Sequence, residues 1–254
     1  MSPPPRRDGQ GRVAVVSGAA AGLGQGYALR LAEDGFALAL VDRESCTDTI
    51  ALVQSSSPDV DVASFVCDVG TWEAVKAAAA TVDDRFGRVD VLVNNAGVYP
   101  PTPYATLGPS QWRKVMSVNL DGTFYMCHAH LPFMRRGGYG RVVNIASAAV
   151  WLDLTDATPY ISSKMGVIGL TRALASEERG TGITVNCVAP GMIHTPGTSD
   201  ALHAGKFDSL RTRQLVDVLA EPDAVAGMVA FLASEEAFFI TGQTIAVDGG
   251  LSRN

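Results

Sequence analysis

Arg12-Val-Ala-Val-Val-Ser17-Gly18-Ala-Ala-Ala-Gly22-Leu-Gly24 begins as a short β-branched run and ends in a turn punctuated by glycines. The run is too short for a buried helix and reads as a strand. Glycine lets the backbone turn tightly and approach a phosphate closely. A helix starting near Gly22 would aim free N–H groups and a partial positive charge at that spot. The spacing is G-x-x-x-G-x-G, not the commoner G-x-G-x-x-G, and by itself fits a plain strand–helix connection equally well. Its position adds weight, because Asp42 follows Gly24 by 18 residues and closes a second apolar strand. An acid there accepts hydrogen bonds from both adenosine ribose hydroxyls and repels a 2′-phosphate. Asp42 therefore favours NAD over NADP; Arg43, able to pair with a 2′-phosphate, is the counter-argument.

The same alternation continues along the chain. Strands are expected at 12–17, 36–41, 62–67, 89–93, 140–146, 182–187 and 243–247. Helical spacing covers 22–34, 71–86, 109–135, 159–179 and 222–233. Several strands, such as Phe36-Ala-Leu-Ala-Leu-Val41, are apolar on both faces, which marks a parallel sheet covered on both sides. The expected fold is α/β: a single-domain, Rossmann-type, doubly wound parallel sheet of about seven strands. Ligands bind such sheets outside the carboxyl ends of the strands. Residues 12–254 are read as this domain and residues 1–11 as a flexible tail. The polar, weakly periodic stretch 192–219 is read as a substrate lid.

The 254 residues are 47 % hydrophobic and 18 % charged, enough to bury a sizeable core. With 26 acids against 20 bases the net charge is −6, which argues against a nucleic-acid partner. No apolar run approaches a membrane span, and the proline-rich start has no signal-peptide core. Cys46, Cys67, Cys127 and Cys187 form no C-x-x-C pair, so they read as buried free thiols of a cytoplasmic protein. No metal-ligand spacing occurs. His128, His130, His194 and His203 read as structural or solvent-facing, with His194 the one able to reach a substrate.

Tyr160-Ile-Ser-Ser-Lys164 carries the chemistry. At the start of a helix, positions i and i+4 share a face. A tyrosine is a poor base near its ordinary pKa of about 10, and a neighbouring ammonium favours the phenolate. Alone, the pair fits an exposed helix surface better. Ser147, however, lies 13 residues earlier, just past the strand Arg141-Val-Val-Asn-Ile-Ala146. Asn94-Asn95-Ala96-Gly97 and Pro190-Gly191 also follow strands, so all these motifs fall on one rim of the sheet.

Taken together, these motifs resemble the short-chain dehydrogenase/reductase family from about Gly11 to Leu251. They include Ser17–Gly24, Asp42, Cys67-Asp68-Val69, Asn94–Gly97, Asn119, Ser147, Tyr160/Lys164 and Pro190–Thr195. The resemblance implies an NAD-dependent enzyme moving a hydride between a carbinol carbon and nicotinamide, with no metal. It implies that Tyr160 transfers the proton and Ser147 hydrogen-bonds the substrate oxygen. Lys164 would lower the phenol pKa and hold the nicotinamide ribose, and Asn119 would anchor a water linking Lys164 to solvent. Gly18, Ala21, Gly22, Leu23 and Gly24 would hold the phosphates, while Asp68 and Val69 would contact adenine. Asn95, Ala96 and Gly97 would line the cofactor cleft, with Asn94 bracing the sheet. Pro190, Gly191, Ile193 and Thr195 would hold the carboxamide end. Two departures are minor: Ser17 stands where threonine is usual, and Ala148 where a second serine is common.

The substrate is less legible. Tyr99, Trp151, Met192 and Phe207 are candidate pocket residues, suiting a small hydrophobic or aryl secondary alcohol or its ketone; ordinary core or subunit contacts explain them equally well. Members acting on sugars or ring-hydroxymethyl compounds, and 3-oxoacyl-thioester reductases, share many of the same stretches. Some members bind cofactor without catalysis, but these typically lose the tyrosine or lysine. The resemblance also implies a homotetramer, with the helices at 109–135 and 159–179 packing between subunits and the tail strand forming a second contact.

Overall fold

The computed structural model describes residues 9–195 and 212–253. Seven strands form one wholly parallel sheet: β1 (Val13–Ser17), β2 (Ala37–Asp42), β3 (Val62–Val66), β4 (Val91–Asn94), β5 (Gly140–Ile145), β6 (Ile183–Pro190) and β7 (Thr244–Val247). Their order is β3-β2-β1-β4-β5-β6-β7. The chain winds outward from β1 to β3, then crosses back to β4 on the other side of β1. The switch point therefore lies between β1 and β4, where a crevice opens at the carboxyl ends. Each expected strand is present, and β6 runs on to Pro190.

Alternate residues of the inner strands supply both faces. Ala14, Val16, Leu38, Leu40, Val91 and Val93 pack with Tyr27, Leu31, Val225 and Val229 on one side. Val15, Ala39, Val41, Leu92 and Val142 pack with Val75, Val82, Met126 and Leu131 on the other. Each fully buried Val or Leu contributes about 2 kcal/mol of transfer free energy, and a one-residue slip would swap the two sets.

The covering helices are α1 (Gly22–Glu33), α2 (Thr47–Ser56), α3 (Trp72–Phe86), α4 (Pro109–Met116), α5 (Gly122–Gly137), α6 (Thr158–Glu177) and α7 (Asp223–Ala233). Helix α1 and helix α7 share one face; α3 and α5 share the other. Two features depart from expectation. Helix α2 falls where none was expected. The helix expected across 109–135 is instead two helices joined by a π turn, Ser117–Asp121. That turn carries one residue too many for a regular helix.

The tail expected over 1–11 is already fixed at Gly9, whose N–H donates to the Asp34 carbonyl at 3.0 Å; residues 1–8 lie outside the described residues. Most of the expected lid, including Phe207 and His203, also lies outside them. Its ends are anchored. Ile193 bridges to Ala220, and the N–H groups of Leu215 and Val216 donate to the Gly249 carbonyl.

Candidate active site

The glycine turn is built by exclusion of side chains. Gly18 has φ +66°, and a Cβ there would lie 2.8 Å from Ala96 Cα. A Cβ on Gly24 would overlap the Gly18 carbonyl oxygen. Helix α1 starts after Ala21, which offers no side-chain cap, and its N-terminus follows the carboxyl end of β1. Such an end is suited to a phosphate. Leu23 is half-buried against the α1–α7 core, and Thr195 packs over Gly22.

Asp42 sits at the end of β2. Its Oδ2 accepts the Ala20 N–H at 2.9 Å and its Oδ1 the Glu44 N–H at 3.1 Å. Both bonds orient the carboxylate beside the glycine turn. The Arg43 guanidinium is exposed and lies 3.5 Å from the Glu44 carboxylate. Asp68 Oδ1 accepts the Gly70 N–H at 2.9 Å. The Val69 side chain is buried in the core and packs against Gly122.

Asn94 and Asn95 divide their labour. Asn94 Nδ2 donates to Asn144 Oδ1 at 2.8 Å, and Asn144 Nδ2 donates to Thr171 on α6 at 2.9 Å. These bonds tie β4 to β5 and β5 to α6. Asn95, expected to line the cleft, also makes bonds that fix the glycine turn. Its Nδ2 donates to the carbonyls of Ser17 and Gly18 at 3.1 and 3.0 Å. The Ser17 hydroxyl accepts the N–H groups of Asn95 and Ala96 at 3.0 and 3.2 Å. Asn95 is thus a brace that holds the glycine turn against the end of β4. Gly191 N–H donates to Val247 at the end of β7. That bond brings Pro190, Gly191 and Ile193 to the same rim.

Ser147 follows β5 and caps the short turn Ala148–Trp151, its Oγ accepting the Ala149 N–H at 3.2 Å. A hydrogen bond from Ser147 stabilises the ionised form of the Tyr160 phenol. Tyr160 and Lys164 stand one turn apart on α6, and Lys164 Nζ is 5.9 Å from the Tyr160 ring centroid. That Nζ donates to the Ile145 carbonyl at 2.7 Å. Asn119, in the π turn, accepts the Val98 N–H at 2.8 Å through Oδ1. Its Nδ2 donates to the Val98 carbonyl and to Ser163 Oγ, each at 3.0 Å. Ser163 in turn donates to the Tyr160 carbonyl at 2.7 Å. A Cβ on Gly97 would lie 3.4 Å from Asn119 Oδ1 and 3.5 Å from Lys164 Nζ. The space beside the ammonium exists because residue 97 has no side chain.

The electrostatics differ from expectation in one respect. The Tyr160 phenol is held above its ordinary value. Burial outweighs the favourable Ser147 bond, and Tyr99 adds to the rise. Burial also pushes the Lys164 ammonium down to about 8, with Cys187 partly opposing. Both groups are dehydrated, so each favours its neutral form.

Among the pocket candidates, the Tyr99 ring lies 4.7 Å from that of Tyr160 at 52°. Its hydroxyl is buried without a hydrogen-bond partner. Trp151 packs instead on the cluster of Ala146, Val167, Cys187 and Ala189, and Met192 is half-buried. His130 is buried, with Nδ1 on the Met126 carbonyl at 2.9 Å. His128 packs between Trp72 and Phe124, and His194 pairs with Glu221 at 3.1 Å. Among the described residues no cluster of three His, Cys, Asp or Glu could hold a metal, and no helix is long and apolar enough to cross a membrane. Ser163 and the Ile145 carbonyl escaped the sequence reading. Ser163 lies within Tyr160–Lys164, so the motif itself held that clue; a main-chain oxygen leaves none.

A seven-stranded parallel sheet with Ser147, Tyr160 and Lys164 at its switch-point rim defines a class of nucleotide-dependent oxidoreductase, and comparison with known proteins agrees. A family model described as enoyl-(acyl carrier protein) reductase matches residues 18–252. The chain belongs to the short-chain dehydrogenase/reductase family, whose members act on CH–OH groups. It is 42 % identical to the (2S)-[(R)-hydroxy(phenyl)methyl]succinyl-CoA dehydrogenase subunit BbsD of Thauera aromatica, covering 96 % of this chain and 97 % of that one. It is 34 % identical to a 3-oxoacyl-[acyl-carrier-protein] reductase of Thermotoga maritima, over 95 % and 98 % of the two chains. The crystal structure of levodione reductase superposes with a TM-score of 0.90 at 33 % identity, over 95 % and 97 %.

Proposed function

We propose that the chain is an NAD-dependent dehydrogenase of small, hydrophobic, aryl-bearing secondary alcohols, and the reductase of the matching ketones. The observation that carries this reading is the Tyr99 ring packed at 4.7 Å on that of Tyr160. It sets an aromatic wall beside the hydroxyl that would exchange the substrate's proton. The Thauera aromatica relative is named for a hydroxy(phenyl)methyl group, itself an aryl-bearing secondary carbinol.

The dinucleotide, when bound, supplies the hydride acceptor or donor. Gly18, Ala21, Gly22, Leu23 and Gly24 hold its phosphates with main-chain N–H groups, and Asp42 accepts from the adenosine ribose. Asp68 and Val69 meet the adenine. Ala96, Gly97, Pro190, Gly191, Ile193 and Thr195 frame the nicotinamide half, with Asn95 bracing the turn beneath. Ser147 donates to the substrate oxygen, an electrostatic role that persists in both directions. The Tyr160 phenolate accepts the alcohol proton in oxidation, and the phenol returns it in reduction. Lys164 binds the nicotinamide ribose and supplies the positive charge that offsets burial of the phenolate. Asn119 continues the proton path from Lys164 toward solvent. The exposed Phe124 on α5 and Met165 on α6 fit subunit contacts in a homotetramer. Four buried free thiols fit a reducing cytoplasm.

A purified sample given 1-phenylethanol should form NADH, with NAD preferred over NADP by about 100-fold in kcat/KM. Tyr160→Phe should lower kcat by about 100-fold or more while NADH still binds. Faster turnover of NADPH with a 3-oxoacyl thioester would replace this reading with the second one, to which the Thermotoga maritima relative lends support. Against that second reading stand Asp42 and the net charge of −6, which ill suits an acidic carrier protein. Tight NADH binding with no turnover of any alcohol, sugars included, would instead indicate a non-catalytic sensor.

A further inference from the structure

At the pole opposite Tyr160, where β5 and β6 begin and α6 ends, lies a cavity of about 650 Å³. Its lining includes Arg141, Arg179, Ile183, Thr184 and Phe238. Arg141 is 4 % exposed. Its Nε donates to the Ser234 carbonyl at 3.1 Å, and its Nη1 to the carbonyls of Gly140 and Gly182 at 2.9 and 3.3 Å. The guanidinium also lies 4.3 Å from the centroid of the Tyr139 ring. Each of these bonded partners is neutral, and Nη2 makes no hydrogen bond among the described residues; the nearby charges that act on Arg141, those of Arg12 and Glu235, are paired with each other. A buried cation without a bonded carboxylate is costly unless something neutralises it.

The cavity cannot supply that charge itself. Its single acid, Glu178, is already held by both Nε and Nη2 of Arg135. Arg179 adds a second guanidinium at the same wall. Thr184 Oγ1 is buried with no hydrogen-bond partner, a vacant polar position that folding normally fills. Ile183 and the side chain of Phe238, 70 % exposed, give the cavity an apolar side. The local charge is positive although the chain as a whole carries −6.

We propose that this cavity binds a small organic carboxylate, with its oxygens on Arg141 Nη2 and Thr184 Oγ1 and its apolar body against Ile183 and Phe238. Arg179 closes the rim. The site shares no residue with the proposed dinucleotide crevice and stands or falls independently of it.

The probe is 4-bromobenzoate. Crystals grown with it should show an anomalous bromine peak beside Phe238, and calorimetry should show a site that weakens as salt rises. Thr184→Val and Arg179→Ala should each weaken that site about fivefold, the effect of one hydrogen bond or exposed ion contact. Both variants should keep the parent's melting temperature within a few degrees, so the test does not depend on Arg141→Met folding. Bromobenzene, which lacks the carboxylate, should not bind there. A bromine peak confined to the cleft above Tyr160, no peak at all, or affinity unchanged in both variants would overturn the proposal.

Discussion

Lys164→Met, measured without ligands, isolates the cost of burying one charge. Lys164 is 4 % exposed, and its Nζ has the Ile145 carbonyl as its hydrogen-bond acceptor. Burial pushes its ammonium from the ordinary 10.5 down to about 8. At pH 7 the lysine is protonated both folded and unfolded, so the folded state bears the whole penalty, about 3 kcal/mol. Above pH 8 the folded lysine sheds its proton while the unfolded one keeps it, and stability rises with pH until about 10.5. From this group alone the parent gains about 2 kcal/mol between pH 7 and pH 10. Methionine has nothing to titrate. Urea unfolding of both proteins at pH 7, 8.5 and 10 should therefore show the parent improving on the variant by about 2 kcal/mol across the series. Methionine packing and the lost bond to Ile145 cancel, because only the pH dependence of the difference is read. A difference that stays flat to within about 0.5 kcal/mol would refute the reasoning.

Three further outcomes can be checked. Gly24→Ala places a Cβ against the Gly18 carbonyl and 2.7 Å from Asn95 Nδ2; it should cost about 2 kcal/mol or more and weaken NADH binding, and an unchanged melting temperature would contradict the packing argument. Burial holds His130 down at about 4, so stability should fall as pH drops from 6.5 toward 4, by up to about 3 kcal/mol; an NMR titration midpoint near 6.5 for His130 would show that the ring is not shielded. Asp42→Ala should raise the kcat/KM ratio for NADP over NAD by about tenfold or more, and an unaltered ratio would remove Asp42 from the ribose site.

The sheet was readable because its inner strands are short aliphatic runs buried on both faces, a pattern few other structures need. Helix α2 was not, since Thr47–Ser56 buries only Thr49 and Val53 completely and leaves little periodicity to detect. The π turn escaped because an extra residue in a helix has no local composition signature. Motif spacing brought Ser147, Tyr160 and Lys164 to one rim, but it could not reveal Asn95 as a brace, since its acceptors are main-chain oxygens of a distant strand end. The rise of the Tyr160 phenol was equally hidden. Neighbouring charges can be guessed from a motif, whereas dehydration depends on everything packed around it. Arg141 looked like an ordinary strand residue until its hydrogen-bond acceptors proved to be main-chain carbonyls alone.

The π turn at Ser117–Asp121 lets one length of helix answer two unrelated demands. Upstream of it, α4 lies along α6; downstream, α5 lies along α3 and beneath the sheet. A regular helix advances about 100° per residue, so removing the surplus residue would rotate one half against the other by roughly that angle. Either Asn119 would leave Val98 and Ser163, or Met126 and Leu131 would turn out of the core. The wide turn acts as a phase shifter between scaffold and chemistry, and a single-residue deletion there should be far more damaging than any substitution at Ser117 or Leu120.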